Sequence, residues 1–342
     1  MAGRPLRLDV DLVSSLARGP AAATAAERLG YSSGWIPETR SDALLVAAAV
    51  GSVTRRLRVG TAVTVAFARS PYVTAQAAWE LAGATRGRFT LGLGSQVKGH
   101  VERRFSAQWS QPAERLREYV LALRALWQAF SERGTPDFHG RFYTHSLLPE
   151  PFLPAWHPHG DIQVLLAAVN PRMAEVAGEV ADGVVVHPLH SPTYLDEVLL
   201  PALQRGLERS GRSRGQVRVV VPVWAVVGAD ARQREPMARH VRERIAFYGA
   251  TRSYARVFAA HGWDDVPARL HRALAAGDRA ALLSALPDGV LDAFAVVCEP
   301  EDLARSLRLR LEGRADSCML YAPLAEPVRR NHLGAVVAEL NG

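Results

Sequence analysis

Three polar residues that are each followed by proline mark places where the chain could bind an anion. Ser70, Asn170 and Ser191 stand where a predicted strand gives way to a predicted helix. A polar residue before proline is typical of a helix start, where free N–H groups and the helix dipole favour negative charge. Asn170 is the best candidate, because residues 167–168 are small and Arg172 supplies a cation. The alternative is an ordinary helix cap at each junction.

Glu38 is the carboxylate that best fits proton transfer. It follows Gly-Trp-Ile-Pro at 34–37, so we expect it at the top of the second predicted strand. Burial there would raise the pKa of its carboxyl and favour a protonated donor. The alternative is that Glu38 caps the next helix or pairs with Arg40. His187, at the end of a later predicted strand, is the second catalytic candidate.

The sequence lacks the residue patterns that metal binding, serine hydrolysis and dinucleotide binding require. The histidines at 100, 139, 145, 157 and 159 have no carboxylate partners at ligand spacing, and a proline separates His187 from His190, so no metal site is expected. A Gly-x-Ser-x-Gly elbow is absent, which argues against a serine hydrolase. Gly92 and Gly94 form an incomplete dinucleotide fingerprint and indicate only a close backbone approach.

The charge pattern favours a small anionic ligand. The net charge is +7, but the cations are scattered singly through the chain. Nucleic-acid surfaces need clustered cations and interleaved aromatic residues, so a basic pocket for a phosphate-bearing small molecule fits better. Lys98 is the only lysine among 41 basic residues, which is typical of a GC-rich, actinomycete-like genome.

The composition also indicates the cellular compartment in which the protein is expected. Two cysteines, Cys298 and Cys318, cannot form a disulfide framework. No apolar run reaches the roughly 18 residues of a membrane helix, and the N-terminus lacks the apolar stretch of a secretory signal. We therefore expect a cytoplasmic protein without a membrane partner.

Strands and helices alternate along the chain, which predicts βαβ units and a parallel sheet. The predicted strands are 6–11, 34–36, 57–65, 88–93, 162–168, 183–187, 217–227 and 316–321. The predicted helices are 21–29, 43–53, 74–82, 113–130, 173–180, 194–209 and 303–311. Eight units without a linker favour one closed (β/α)8 TIM barrel over residues 1–342. Segments of about 135–158 and 251–294 are expected as insertions at its C-terminal face, where such segments often build a lid or substrate pocket.

Several segments carry a resemblance to a known family. The matching stretches are 30–39, 59–63, 68–71, 86–98, 179–183 and 300–303, of which 86–98 and 179–183 are the most specific. They resemble the luciferase-like monooxygenase family, and within it the branch that depends on coenzyme F420, a deazaflavin. The resemblance covers about nine-tenths of the chain and is weakest in the two insertions. It implies the same barrel, with the active site at the carboxyl ends of the strands.

The resemblance also implies binding residues. Thr61, Ala62 and Val63 would lie under the cofactor ring, with a cis peptide bond between Ala62 and Val63. Ser95, Gln96 and Val97 would line the ring and its ribityl chain, and Ala168, Val169 and Asn170 would hold the phosphate. Glu38 aligns with an acidic residue of F420-dependent relatives, whereas Thr39 stands where many carry histidine. Cations expected near the acidic tail of the cofactor are Arg40, Arg69, Arg103, Arg104 and Arg172.

Three functions remain open at this point. The first is an F420-dependent oxidoreductase that transfers hydride between the reduced deazaflavin and a C=C, C=N or C=O bond of a small molecule or peptide. The second is an FMN-dependent monooxygenase that uses dioxygen. The third is a flavoprotein or binding module without catalysis, against which the small residues at the strand ends argue. Secondary metabolism would suit the apparent source. Relatives are often dimers, which leaves a homodimer open.

Overall fold

Eight parallel strands form a closed barrel in the computed structural model, which describes residues 5–321, 324 and 326–342. The strands are β1 Arg7–Asp11, β2 Ser33–Ile36, β3 Arg58–Thr61, β4 Phe89–Gly94, β5 Gln163–Ala168, β6 Gly183–Val186, β7 Arg218–Val227 and β8 Ser317–Leu320. Each pairs with the next along the chain, and β8 closes the ring by pairing with β7 and β1. The predicted (β/α)8 barrel is confirmed.

Helices cover the outside of the barrel. They are α1 Gly19–Leu29, α2 Ala43–Val53, α3 Pro71–Ala84, α4 Lys98–Arg103, α5 Pro112–Glu132, α6 Pro171–Val180, α7 Pro192–Tyr194, α8 Leu200–Arg209, α9 Ala231–Gly249, α10 Ala255–Ala259, α11 Val266–Ala275, α12 Arg279–Ser284, α13 Val290–Phe294, α14 Leu303–Leu311, α15 Glu326–Asn331 and α16 Leu333–Asn341. Each predicted helix is present. In the described part of the chain, none is long and apolar enough to cross a membrane.

Alternation along each strand separates the barrel interior from the layer under the helices. The interior contains a compact apolar cluster, whose members are Trp35, Leu165, Val185, Val220 and Met319. Residues next to these face outward and join the larger core between strands and helices. Because side chains repeat their direction every second residue, the residues two positions beyond the interior cluster point into the mouth of the barrel.

The first insertion differs from expectation. Residues 135–158 follow helix α5 rather than a strand, and they lie against the outer sides of α3 and α5. Glu118 of α5 accepts from the backbone N–H groups of residues 141–143, and His157 packs on Trp79 of α3 at 4.3 Å between ring centroids. Only the turn at 141–143 approaches the upper end of α5. The segment therefore covers helices instead of the strand ends.

The second insertion does reach the mouth. It follows α9, contains α10 to α13, and leads into an additional strand, Ala295–Cys298, which pairs with the upper half of β7 and was not predicted. Its first residues contact the loops after β5 and β6. The side chain of Asn170 donates to the carbonyl of Ser253 at 3.1 Å, and His261 lies 2.8 Å from the hydroxyl of Ser191.

Candidate active site at the mouth of the barrel

Strand alternation aims three polar side chains into the mouth. Asp11 follows the interior Asp9 by two residues, and Tyr321 and His187 follow the interior residues Met319 and Val185 in the same way. Asp9 itself is buried inside the barrel, where the indole N–H of Trp35 donates to it at 2.8 Å. The carboxyl ends of β1, β6 and β8 thus bring a carboxyl, a phenol and an imidazole to one opening.

Asp11 has the properties of an acid that acts near neutral pH. Burial raises the pKa of its carboxyl to about 7. No hydrogen bond to this carboxyl is present within the described residues, so nothing stabilises the charged form. The pKa of Tyr321 is raised by burial, by the neighbouring Tyr248 and by the charge of Asp11. Asp11 and Tyr321 are therefore close enough to interact electrostatically.

Glu38 lies on the other side of β2 from the mouth. It follows the outward-facing Ile36 by two residues and points toward the helix layer. Both of its oxygens accept from the guanidinium of Arg69, and one also accepts from the backbone N–H of Val65 at 2.6 Å. Every partner is a donor, which suits a carboxylate without a proton. The geometry therefore argues against Glu38 as the proton donor, and its partner is Arg69 rather than Arg40.

His187 faces the mouth, but as a neutral ring. Burial lowers the pKa of His187 to about 3, with a smaller effect from His190. The backbone N–H of Leu189 donates to Nδ1 at 3.1 Å, and the hydroxyl of Tyr254 lies 3.1 Å from Nε2. With both nitrogens engaged and the charged form disfavoured, His187 is poorly suited to donate a proton in catalysis.

An aromatic wall forms one side of the mouth. We use this name for the side chains of His187, Trp224, Tyr248, Tyr254 and Tyr321. Their rings follow one another at centroid distances of 4.5 to 6.4 Å, and the hydroxyls of Tyr248 and Tyr321 are 3.2 Å apart. The wall runs from β6 through β7 to β8 and so ends beside Asp11 on β1.

Small residues form the opposite side, after β3. The Ala62–Val63 peptide bond is cis, as the resemblance implied, and both residues pack against the interior cluster. Thr61 is fully buried, and its hydroxyl donates to the carbonyl of Gly92 at 2.7 Å, so only its backbone remains for a ligand. A Cβ on Gly92 would lie 1.9 Å from the carbonyl of Thr61, and one on Gly94 would lie 2.6 Å from Val63. The close approach predicted at these glycines is made by the chain itself.

The residues after β4 are partly open to the mouth. Ser95, Gln96 and Val97 are all half-buried. Gln96 has a φ of 60°, and its side-chain oxygen accepts from the N–H of Val97 at 3.0 Å, while the hydroxyl of Ser95 donates to the carbonyl of Gln96 at 3.2 Å. The amide nitrogen of Gln96 has no partner among residues 5–321 and can donate to a ligand.

The start of α6 differs from the other two polar-proline junctions. Ser70 and Ser191 cap their helices by accepting from a backbone N–H three positions on, as an ordinary cap does. Asn170 makes no such bond, because its amide is turned toward Ser253. Ala168 is buried, whereas Val169 and Asn170 are half-buried at the opening. Pro171 has no N–H, and the N–H of Met173 donates to the carbonyl of Asn170 at 3.1 Å. Within the described residues, the first turn of α6 thus leaves the N–H of Arg172 for a bound anion.

The predicted Arg172 and a second arginine, Arg256, both lie near that helix start. Arg172 is exposed and contacts three glutamates, which already compensate its charge: Glu114, Glu175 and Glu179. Arg256, in α10, lies near Tyr194, whose pKa is raised to about 12 by burial and lowered somewhat by the charge of Arg256. The hydroxyl of Tyr194 donates to the carbonyl of Val169 at 2.6 Å. Arg256 is therefore a cation close to Tyr194, whose hydroxyl contacts the loop after β5.

Sequence reasoning missed Asp11, Tyr254 and Arg256. A signal for Asp11 was present, because Asp9 and Asp11 alternate within one predicted strand and so share a face. Tyr254 and Arg256 lie in an insertion whose path the sequence pattern did not specify. In the described part of the chain, no three His, Cys, Asp or Glu side chains are placed to hold a metal ion.

Comparisons with known proteins agree with this architecture. The model of the luciferase-like monooxygenase family matches residues 6–317, and the chain therefore belongs to that family. It is 42% identical over 313 residues to an uncharacterized protein of Mycobacterium tuberculosis, with 92% of each chain covered. It is 28% identical to 5,10-methylenetetrahydromethanopterin reductase of Methanolobus tindarius over 81% of each chain. The solved coenzyme F420-dependent tetrahydromethanopterin reductase of Methanopyrus kandleri has the same fold, with a TM-score of 0.79 at 18% identity over 99% of each chain.

Proposed function

We propose that the protein is an F420-dependent oxidoreductase in which Asp11 supplies or accepts the proton that accompanies hydride transfer. The observation that carries this proposal is the half-buried carboxyl of Asp11 at the mouth, whose pKa of about 7 allows it to gain or lose a proton near neutral pH. The similarity to a 5,10-methylenetetrahydromethanopterin reductase over 81% of the chain supports a reductase. The similarity to a putative coenzyme F420-dependent oxidoreductase of Mycobacterium tuberculosis, 27% identical over 89% of this chain, supports the deazaflavin as its cofactor.

The residues of the mouth fit a flat cofactor with an anionic arm. Ala62 and Val63, together with the glycine at 94, leave no large side chain on the β3–β4 side, where a planar ring would lie. Gln96 would contribute a hydrogen bond from its free amide. The N–H of Arg172 at the start of α6 would donate to a phosphate, with Arg256 as a second cation close to Tyr194.

When bound, F420 would supply hydride chemistry, which no side chain of the chain can perform. The chain itself would do three things. Asp11 holds a proton at its carboxyl, the aromatic wall binds and orients a flat substrate beside it, and the two sides of the mouth together exclude water. Glu38 and Arg69 lie behind the small-residue side and support the segment Thr64–Val65 that follows the cis peptide.

Calorimetric titration with F420 and with FMN tests which of the two cofactors the protein binds more tightly. Tighter binding of F420 is expected, followed by oxidation of the bound reduced deazaflavin under anaerobic conditions when menadione, a flat dicarbonyl compound, is supplied as hydride acceptor. Tighter binding of FMN, together with consumption of dioxygen by the reduced protein, would overturn the proposal in favour of the monooxygenase. Absence of binding by either cofactor would remove both enzymatic functions.

A further inference from the structure

The hydrogen bonds of His187 determine which of its nitrogens carries the proton. The backbone N–H of Leu189 donates to Nδ1, so Nδ1 presents its lone pair. Burial keeps the ring neutral, since it lowers the pKa of His187 to about 3. The single ring proton therefore lies on Nε2, and this nitrogen is a donor.

That donor faces the hydroxyl of Tyr254. The distance from Nε2 to the phenol oxygen is 3.1 Å, and because Nε2 donates, the phenol oxygen accepts. The proton of the Tyr254 hydroxyl is then left for another acceptor. In the described ranges no residue provides one. Burial raises the pKa of Tyr254, so the hydroxyl keeps its proton.

The ring of Tyr254 is held in place at the mouth. Its neighbour Ser253 accepts from the side chain of Asn170, which anchors the backbone to the loop after β5. The ring lies 4.5 Å from the ring of His187 and 6.0 Å from that of Tyr248, between centroids. The ring of Tyr254 is thus held between those of His187 and Tyr248. Its hydroxyl is a donor that an acceptor atom of a substrate would meet on entering the mouth.

We propose that Tyr254 donates a hydrogen bond to an acceptor atom of the substrate, and that His187 is the positioning residue that keeps the Tyr254 proton available. The acceptor would be an uncharged or anionic oxygen or nitrogen conjugated to the bond that takes the hydride, because negative charge grows on that atom during the transfer. The assignment rests on the proposed function, and it adds a specificity-determining residue from the second insertion.

Steady-state reduction of menadione by reduced F420 tests the assignment in four variants. Tyr254→Phe should raise the KM for menadione about three- to tenfold, the loss expected for one neutral hydrogen bond, with the Kd for F420 changed less than twofold. His187→Leu should behave alike. His187→Gln should restore the wild-type KM, because its amide can donate from the position of Nε2. Tyr143→Phe is the matched control, since Tyr143 loses a bond from Arg115 on the outer side of α5.

A second measurement separates this proposal from the proposed function. Nitrogen NMR of histidine-labelled protein should show the His187 proton on Nε2, and a proton on Nδ1 would overturn the role of His187. Wild-type kinetics retained by Tyr254→Phe would remove Tyr254 and leave the oxidoreductase intact. If the wild-type protein binds F420 but neither binds nor reduces menadione, the proposed role of Tyr254 is also overturned. A wild-type protein that does not bind F420 would remove both.

Discussion

The guanidinium of Arg69 donates to both carboxylate oxygens of Glu38, at 3.1 and 2.5 Å, on the helix side of β2. The same group also donates to Asp42 at 2.5 Å, and Glu38 is nearly fully buried, with a side-chain exposure of 7%. The carboxyl that the sequence singled out for catalysis is thus part of the support behind the site, and its variants should show this.

Glu38→Gln should lower stability while leaving the chemical step almost unchanged. Removing one charge of a buried pair leaves Arg69 partly uncompensated, which costs about 1–3 kcal/mol of unfolding free energy. Urea denaturation measures this cost, and single-turnover oxidation of reduced F420 by menadione measures the rate, which should stay within threefold. Asp42→Asn is the control for the more exposed arm of the same cluster. A rate loss of about 10²-fold or more would instead return Glu38 to the mechanism as general acid.

Asp11→Asn should lose the chemical step. A general acid typically contributes about 10²–10⁴-fold in rate, and asparagine has no proton to transfer at this position. In the wild type, the rate of menadione reduction should fall as the pH rises through about 7, because only the protonated carboxyl donates. The slow rate of the variant should not depend on pH in this range. A wild-type profile that is flat from pH 6 to 8 would contradict the assignment.

The same carboxyl should make stability depend on pH in the direction opposite to an ordinary ion pair. Its folded-state pKa of about 7 exceeds the ordinary aspartate value of 3.8, so the folded state binds more protons than the unfolded state between these values. Stability therefore decreases as the pH rises through this window and levels off above it. Asp11→Asn removes this penalty and should be more stable than the wild type at pH 8 by about 2–4 kcal/mol, but not at pH 4. Urea midpoints at both pH values test the crossover.

Two arginines near α6 should respond differently to charge reversal. Arg256→Glu should weaken F420 binding by about 1–3 kcal/mol, because it places a negative charge beside the proposed phosphate site. Arg172→Glu should weaken F420 binding less than Arg256→Glu does and cost about 1 kcal/mol of stability or less, since Arg172 is exposed and its charge is already compensated by three glutamates. Calorimetric titration of both variants decides. The reverse order of affinities would restore Arg172 as the phosphate ligand.

Asn341, next to the last residue, should be needed for stability. Its side chain accepts from the N–H of Leu8 at 2.8 Å and donates to the carbonyls of Leu8 and Gly30, so it ties α16 to β1. Asn341→Ala should cost about 1–3 kcal/mol, because it leaves backbone groups of β1 without partners. Thermal unfolding measures the loss, with the exposed Asn331→Ala as control. Equal melting temperatures would show that water replaces the side chain.

The alternation of apolar strands and amphipathic helices was enough to predict the barrel, because parallel strands buried on both faces must be covered by helices. It also located the helix start at Asn170, since a polar residue before proline is a local signal. The cis bond at Ala62–Val63 was reached through family resemblance alone. The helix start depends on adjacent residues, the barrel on a repeating pattern and the cis bond on a matched motif. All three kinds of information can be read from the amino-acid sequence.

Tertiary structure decided which polar residues meet. Glu38 and Asp11 both lie at strand ends, yet they differ by one step in the alternation, so one faces the helices and the other faces the mouth. The sequence alone does not determine whether a given side chain at a strand end points toward the mouth or toward the helices. The charge of Arg172 is compensated by glutamates of α5 and α6. Tyr254 and Arg256 belong to an insertion that Ser253 anchors to Asn170, 83 residues earlier in the chain. Such contacts arise only when the closed ring of strands brings distant segments to a single opening, and closure is a property of the whole chain.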